Sequence, residues 1–443
     1  MNIEEALDYV SDLARKRKLG EFDIVAYDSF SEAVEIFEGK VSNTEISRSA
    51  AIGVRVLSDA RPGIAFTEKL SPDALEVCLT DAQSHTQLTD KVSFQLPGPM
   101  PFEAGNFDRR SQDFARVGFA ELTNYAIEME ARLRAADPQI ENVPYTGASR
   151  SSSTGYFLNS HGVRYRITHE DFGAYTAAVA ARGDQKKMGF ASNARTEFTE
   201  LCALPLTSLA AERALVQLGA SPVTSGTYNV LFSNRVSGQL FSLYQSPFFA
   251  ETVQRGQSRL AGKLGQPVAS ERLSLRSDAL DTTLRGSRAL DSEGVPTSNL
   301  AVIESGKLVN YLYNLEAAAQ DKRASTGNGV RSVGSRAGTG FKNLVVAPGD
   351  KTRAELLQSG RILLIDKLEG AAGCSAISGE FSIGAQGFLY ENGQMVQPVD
   401  RITLSSNFFE MLRNIEAVSS EYNDQYSSVR VPDLLIGGIA VAG

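Results

Sequence analysis

The sequence is poor in the residues that most often carry hydrolytic and metal chemistry. Of its 443 residues three are histidines, His85, His161 and His169, and nothing after His169 is a histidine. Three cysteines, Cys78, Cys202 and Cys374, are widely spaced and form no CxxC pair, as expected of reduced thiols in a cytosolic protein. No run approaches the ~20 apolar residues of a membrane span, and the opening Met-Asn-Ile-Glu-Glu lacks the charged-then-apolar pattern of a secretory leader. The expectation is a cytoplasmic protein with no membrane contact. Positive charge is also short: the net charge of −8 argues against a direct nucleic-acid surface, which needs clustered Lys and Arg.

Chemical motifs are missing in the same way. There is no GxSxG elbow for a Ser/His/Asp triad and no GxxxxGK[ST] phosphate loop. His169-Glu170 opens like HExxH, but the fourth residue on is Gly173, and the surrounding alternation is that of a strand, where i and i+4 do not present a helical zinc face. His161 reads as a hairpin-turn residue in Asn159-Ser160-His161-Gly162, and His85 as lying beyond a helix, with Thr and Gln around it. Cys374 lies among Gly, Ala and Ser, with no base or positive field nearby to make a thiolate, and reads as a small buried residue rather than a nucleophile. No catalytic residue and no metal ligand is assigned.

What is present is an ordinary globular composition, 42% hydrophobic and 22% charged, in a chain long enough for two or three domains. Ile3, Leu7, Val10 and Ala14 mark an amphipathic first helix, whose Arg15-Lys16-Arg17-Lys18 reads as cations at a helix C-terminus before Gly20. Strand alternation follows at Glu32–Phe37 and Ile52–Val56, with a turn at Gly39-Lys40, and Ser71-Pro72 opens a helix. Gln95–Asn106, rich in proline and glycine, reads as a linker. A second helix-then-strands section begins at Phe119, which hints at an internal repeat. The third section, from Tyr228, is mostly strand, with a helix over Val236–Tyr244, hairpins at Ser305-Gly306 and Asn392-Gly393, a helix near Thr352–Ser359, and Leu434–Gly443 as a last strand. Nothing has regular βαβ spacing, so the class is α+β: mixed helix and antiparallel-strand domains over 1–95 and 107–222, and a mainly antiparallel β domain over 226–443.

The block Gly370–Asn407 is punctuated by Gly373, Gly379, Gly384 and Gly387, which in strands mark bulges or close backbone approach. An edge strand with small residues can take up an extended peptide. Ser378, Gly379, Glu380, Phe381 and Ser382 are the candidate peptide-binding segment, with an interior strand as the competing reading.

Several motifs in order then carry a resemblance. Asp291-Ser292-Glu293-Gly294-Val295-Pro296-Thr297, the Ile303–Leu308 hairpin, Ser325-Thr326-Gly327, Asn343 with Pro348-Gly349, Ser378–Ser382, Glu391-Asn392-Gly393 and Pro398-Val399 look like the TldD/PmbA family. Gly39-Lys40-Val41 and Gly53-Val54-Arg55-Val56 resemble its N-terminal signature, so nearly the whole chain is covered.

The resemblance implies paired subunits of a cytosolic metallopeptidase that trims or degrades unfolded peptides, including peptide precursors and antitoxins. It further implies that the TldD-type subunit holds the metal, zinc, on an HExxxH helix after the first strand of the C-terminal domain, together with a cysteine near the C-terminus. Here the corresponding helix falls within Val236–Glu251, which has no histidine, and the stretch after Asn423-Asp424 has no cysteine. The resemblance is therefore to the PmbA (TldE) type: a chain with no cofactor of its own, inactive alone, that binds peptide beside a TldD-type partner. The alternative is a stand-alone peptide-binding homodimer.

Overall fold

The computed structural model describes residues 1–102, 107–423 and 426–443. The linker read over Gln95–Asn106 is in neither helix nor strand as far as Phe102, and its last four residues lie outside the described ones.

The first helix, α1 (Ile3–Lys16), begins with a reciprocal cap: Asn2 Oδ1 accepts from the Glu5 N–H at 2.9 Å while the Glu5 carboxylate accepts from the Asn2 N–H at 3.0 Å. Ile3, Leu7, Val10 and Ala14 are buried along one face, and Arg15 and Lys16 close the last turn, as the sequence predicts. A long hairpin follows, β1 (Glu21–Phe37) and β2 (Lys40–Ser58), then β3 (Arg61–Thr67) and α2 (Pro72–His85). The middle section repeats the plan with α3 (Phe119–Arg134), β4 (Ile140–Asn159), β5 (Arg164–Arg182), β6 (Gln185–Arg195), α4 (Phe198–Cys202) and α5 (Leu206–Leu215).

These two sections share one six-stranded sheet in the order β3-β2-β1-β4-β5-β6, joined by the antiparallel pair β1–β4 in which Ile24 faces Leu158. The order is symmetric about that junction, so the repeat hinted at by the sequence is present as two helix–meander–helix halves. Even-numbered residues of β1 put Phe22, Ile24 and Ala26 under α1 and α2, and Val34 and Ile36 under α3 and α5. The opposite face, with Val25 and Phe157, meets Leu290 of the C-terminal section.

That section opens with β7 (Gly226–Phe232), α6 (Asn234–Leu243) and α7 (Ala250–Gln254). A small sheet is then built from β8 (Leu275–Ser277), β9 (Leu300–Glu304) and β10 (Lys307–Leu308), followed by α8 (Leu315–Gln320), the short pair β11 (Gly329–Val330) and β12 (Gly338–Thr339), and β13 (Leu344–Val346). The chain continues with α9 (Arg353–Leu357), β14 (Arg361–Glu369), β15 (Glu380–Glu391), β16 (Gln394–Asn407), α10 (Phe408–Arg413), β17 (Ile415–Val418), β18 (Val429–Arg430) and β19 (Leu434–Ala442).

The second large sheet runs β16-β15-β14-β7-β19-β17, and β16 also pairs with β19 through Leu404 and Val441, which closes five of its strands on themselves. Val230, Phe232, Leu363, Ile365, Ile383, Leu404 and Ile436 belong to the buried core of this section. Two pairs depart from the antiparallel expectation: β7 with β14, and β13 with β18, are parallel. The intervening chain is long enough to return each strand to the same end, which local spacing does not reveal. The turn at Asn392-Gly393 has φ of 50° and 80°, as its sequence predicts.

Candidate functional site

The segment Ser378–Ser382 lies between backbone partners on both flanks, which is the interior-strand placement that the sequence left as the competing reading. Glu380, Phe381 and Ser382 pair with Asn407, Ser406 and Ser405 of β16. On the other flank the Ser382 N–H donates to the Gly373 carbonyl at 3.0 Å and the Glu380 carbonyl accepts from the Ser375 N–H at 2.9 Å. The Ser378 carbonyl is taken by Asn407 at 2.8 Å and by Arg259 at 3.0 Å. Gly379 turns with φ of +82°, where a Cβ would meet the Phe409 ring at 2.5 Å. With backbone partners on both flanks, this strand is paired on each side rather than open along one.

The histidines serve three separate neighbours. His85 Nδ1 meets the Ile64 carbonyl at 2.7 Å, His161 Nε2 meets Glu21 at 2.9 Å, and His169 Nε2 meets the Arg109 guanidinium at 3.0 Å. Cys374 packs against the C-terminal core and pairs in a single bridge with Phe381.

An open groove lies elsewhere, along α6. This helix leaves β7 at Ser233 and is pinned at its start by Asp433, whose carboxylate accepts from the Asn234 N–H at 2.5 Å and from Arg353 at 2.7 and 2.8 Å. Val236, Leu240 and Phe241 face the core. The opposite face turns Arg235, Gln239 and Ser242 into a cavity of about 580 Å³, closed on its far side by Asn423, Ser427 and Val429. This is the helix after the first C-terminal strand, and the loop before the last strand, on which the resemblance places the metal ligands of the TldD type. Residues 424 and 425 of that loop lie outside the described residues.

The second wall comes from the middle section. β6 ends the first sheet, with β5 on one side and, among the described residues, no strand on the other. Gly189 on β6 permits α5 to lie close against it, since a Cβ there would stand 2.2 Å from the Ala210 carbonyl oxygen. That approach brings Arg213 of α5 over the strand, where it donates to the Phe190 carbonyl at 2.8 Å. Arg213 and Arg235 line the 580 Å³ cavity and also a neighbouring one of about 450 Å³ walled by Tyr145, Met188, Phe190 and Phe388. Met188 and Phe190 are half exposed there. The two cavities share Phe190, Gln239 and Leu368 as well, so they form one groove with the arginines at its waist.

The donor set does not suit zinc. Along α6 and the facing loop stand Gln239, Ser242, Asn423, Ser427 and two guanidiniums, where zinc takes thiolate, imidazole or carboxylate. The nearby Asp366 is engaged by Arg235 at 2.8 Å. Among the described residues no three His, Cys, Asp or Glu converge on a metal position. Burial pushes Arg213 below its ordinary value, and the charge of Arg235 adds to the effect.

The helix was legible from the sequence and its partners were not. Arg213 lies on a helix of another section, and only the tertiary contact of α5 with β6 brings it to Arg235.

A sheet with helices on one face, docked on a closed, mainly antiparallel β unit with a groove between them, is the scaffold of a three-part metallopeptidase-type chain. Models of that kind match here over residues 22–84 (PmbA/TldA metallopeptidase domain 1), 112–218 (central domain) and 225–443 (C-terminal domain). The chain belongs to the PmbA/TldD family. It is 26% identical to Metalloprotease PmbA of Escherichia coli O157:H7, over 98% of this chain and 96% of that one. A protein named Metalloprotease from Methanothermobacter thermautotrophicus is also 26% identical, over 95% and 90%. Among solved structures, a putative modulator of DNA gyrase from Thermotoga maritima superposes with a TM-score of 0.90 at 27% identity over 100% of both chains. TldE from Thermococcus kodakarensis shares the fold, with a TM-score of 0.86 at 21% identity over 99% of this chain and 100% of that one.

Proposed function

We propose that this chain is the metal-free, peptide-binding member of a cytoplasmic TldD/PmbA-type peptidase complex that processes or degrades unfolded peptides. A TldD-type partner holds the zinc and activates the water, and this chain holds an extended peptide in the groove between β6 and α6. Peptide maturation and antitoxin turnover are the processes such a complex serves.

The observation that supports this reading is the groove at α6. It occupies the position where the resemblance puts a metal helix, yet it is lined by arginines and amides, and its long shape is bordered by an edge strand. On that strand the Phe190 carbonyl points into the groove, so Met188 and Ser192, two residues either way, present their backbone groups to the same side. An extended peptide adding to β6 would meet main-chain donors and acceptors along the strand and apolar side chains at both ends.

The test is cleavage of an unfolded peptide by this chain alone, by a TldD-type subunit alone, and by the two mixed, each with and without a chelator. Chelator-sensitive cleavage that needs the mixture is the expected result. Appreciable metal-dependent cleavage by this chain alone would sink the proposal. Full binding and no gain on mixing would leave the homodimeric binding protein as the better account.

A further inference from the structure

The groove holds more positive charge than it balances. Arg235 is bound by Asp366, through the carboxylate at 2.8 Å and through the main-chain carbonyl. Arg213 has one hydrogen bond, to the Phe190 carbonyl, which carries no charge, and none of the ion pairs among the described residues includes it. The carboxylates that act on it from a distance are those of Asp366 and Glu212, against the like charge of Arg235. Lys367 lines the same end of the groove, with Glu369 at 3.9 Å. Two guanidiniums thus face one cleft, half withdrawn from water, with one carboxylate, Asp366, between them among the described residues.

The geometry points to a carboxylate subsite: we propose that Arg213, backed by Arg235, binds a carboxylate of the peptide lying in the groove and so selects peptides that carry one. This rests on the reading that the groove holds an extended peptide. A guanidinium presents two parallel N–H donors to a planar carboxylate, and in a partly desolvated cleft such a pair is stronger than at an open surface. The Phe190 carbonyl that Arg213 now occupies belongs to the edge of β6. A peptide pairing with that edge takes over the carbonyl and releases the guanidinium toward the ligand.

The carboxylate has two sources, the peptide's C-terminus and an acidic side chain. Because the arginines stand at the waist, a C-terminal carboxylate leaves half of the groove empty, whereas an acidic side chain lets the peptide run through both halves. Calorimetric titration of the full chain separates them, using one N-acetylated alanine–serine–leucine sequence in four forms: free acid, C-terminal amide, amide with a central glutamate, and amide with glutamine at that position.

Tighter binding of the free acid or of the glutamate peptide, by about tenfold over its neutral counterpart, is expected. The R213Q variant is expected to bring that ratio to about one, and R213K to retain part of it, with unchanged circular dichroism in both. Equal affinity of charged and neutral peptides for the unaltered chain overturns the subsite and leaves the peptide groove standing. A ratio that survives in R213Q does the same. Failure of every peptide to bind overturns both.

Discussion

Arg55 on β2 and Glu293 in the loop between β8 and β9 meet at 2.9 Å, and both side chains are withdrawn from solvent. The same guanidinium donates to Asp23 at 3.0 Å, and the second oxygen of Glu293 accepts the Leu315 N–H at the start of α8 at 2.8 Å. One arginine therefore ties the N-terminal sheet to the first turn of a C-terminal helix. A buried pair contributes little net stability when intact, but removing one partner strands a charge. Arg55→Met is expected to lower unfolding stability by about 3–5 kcal/mol in urea titrations, and Glu293→Gln to cost less, because the amide oxygen keeps one of the two donors and Arg55 still has Asp23. Equal stability of Arg55→Met and the unaltered chain would refute the tie.

Acid weakens the protein through His169. Burial, then the charges of Arg109, Arg288 and Arg285, push its imidazole down from 6.5 to about 3. Between those values the unfolded chain carries a proton that the folded chain does not, so stability is full above pH 6.5 and falls as pH drops through the window. His169 is half-buried, which moderates the effect. Replacing it with asparagine should flatten the loss of urea midpoint between neutral and mildly acid pH. An unchanged slope would show that carboxylates alone set it.

Gly189 is required by the approach of α5 to β6. A Cβ would lie 2.2 Å from the Ala210 carbonyl oxygen and 2.4 Å from the Ala214 nitrogen. Gly189→Ala should cost about 1–3 kcal/mol and displace Arg213 from the groove, weakening peptide binding. Gly20, with nothing within 4 Å of its own Cβ position, is the control and should tolerate alanine.

The tip of the β1–β2 hairpin is held by a carboxylate from another section. Glu130 of α3, itself 1% exposed, accepts from the Glu38 N–H at 2.8 Å and the Gly39 N–H at 2.7 Å, and Arg134 donates to the same carboxylate. Glu130→Ala is expected to cost about 1–3 kcal/mol and to speed hydrogen exchange at the Glu38 and Gly39 amides. Protection that persists at both would mean the turn holds itself.

Local chemistry in the sequence foretold the elements that local chemistry builds. The apolar spacing of Ile3, Leu7, Val10 and Ala14 marked α1, and Asn392-Gly393 marked the turn between β15 and β16. Long-range pairing was not legible. Ser378–Ser382 has the small residues of an accessible strand, but its neighbours, Gly373, Ser375 and Asn407, are set by how the chain returns. The parallel pairing of β7 with β14 depends in the same way on a crossover without regular spacing. The position of α6 followed from the resemblance, and a helix around Leu206–Leu218 was legible from its own sequence as α5, but that the two face each other was not, because a domain boundary separates them in the chain.

The antiparallel junction of β1 with β4 also bears on how the protein comes off the ribosome. Glu21–Phe37 is made early, and the strand that covers its second edge ends at Asn159. A nascent chain that has completed α2 already holds everything in its own half, yet still exposes one flank of β1. Synthesis of the next half closes that flank. Until then the half-made protein is open to pairing with the wrong strand, including the same strand of another nascent copy, and its vulnerability lasts as long as translation from α2 to Asn159 takes.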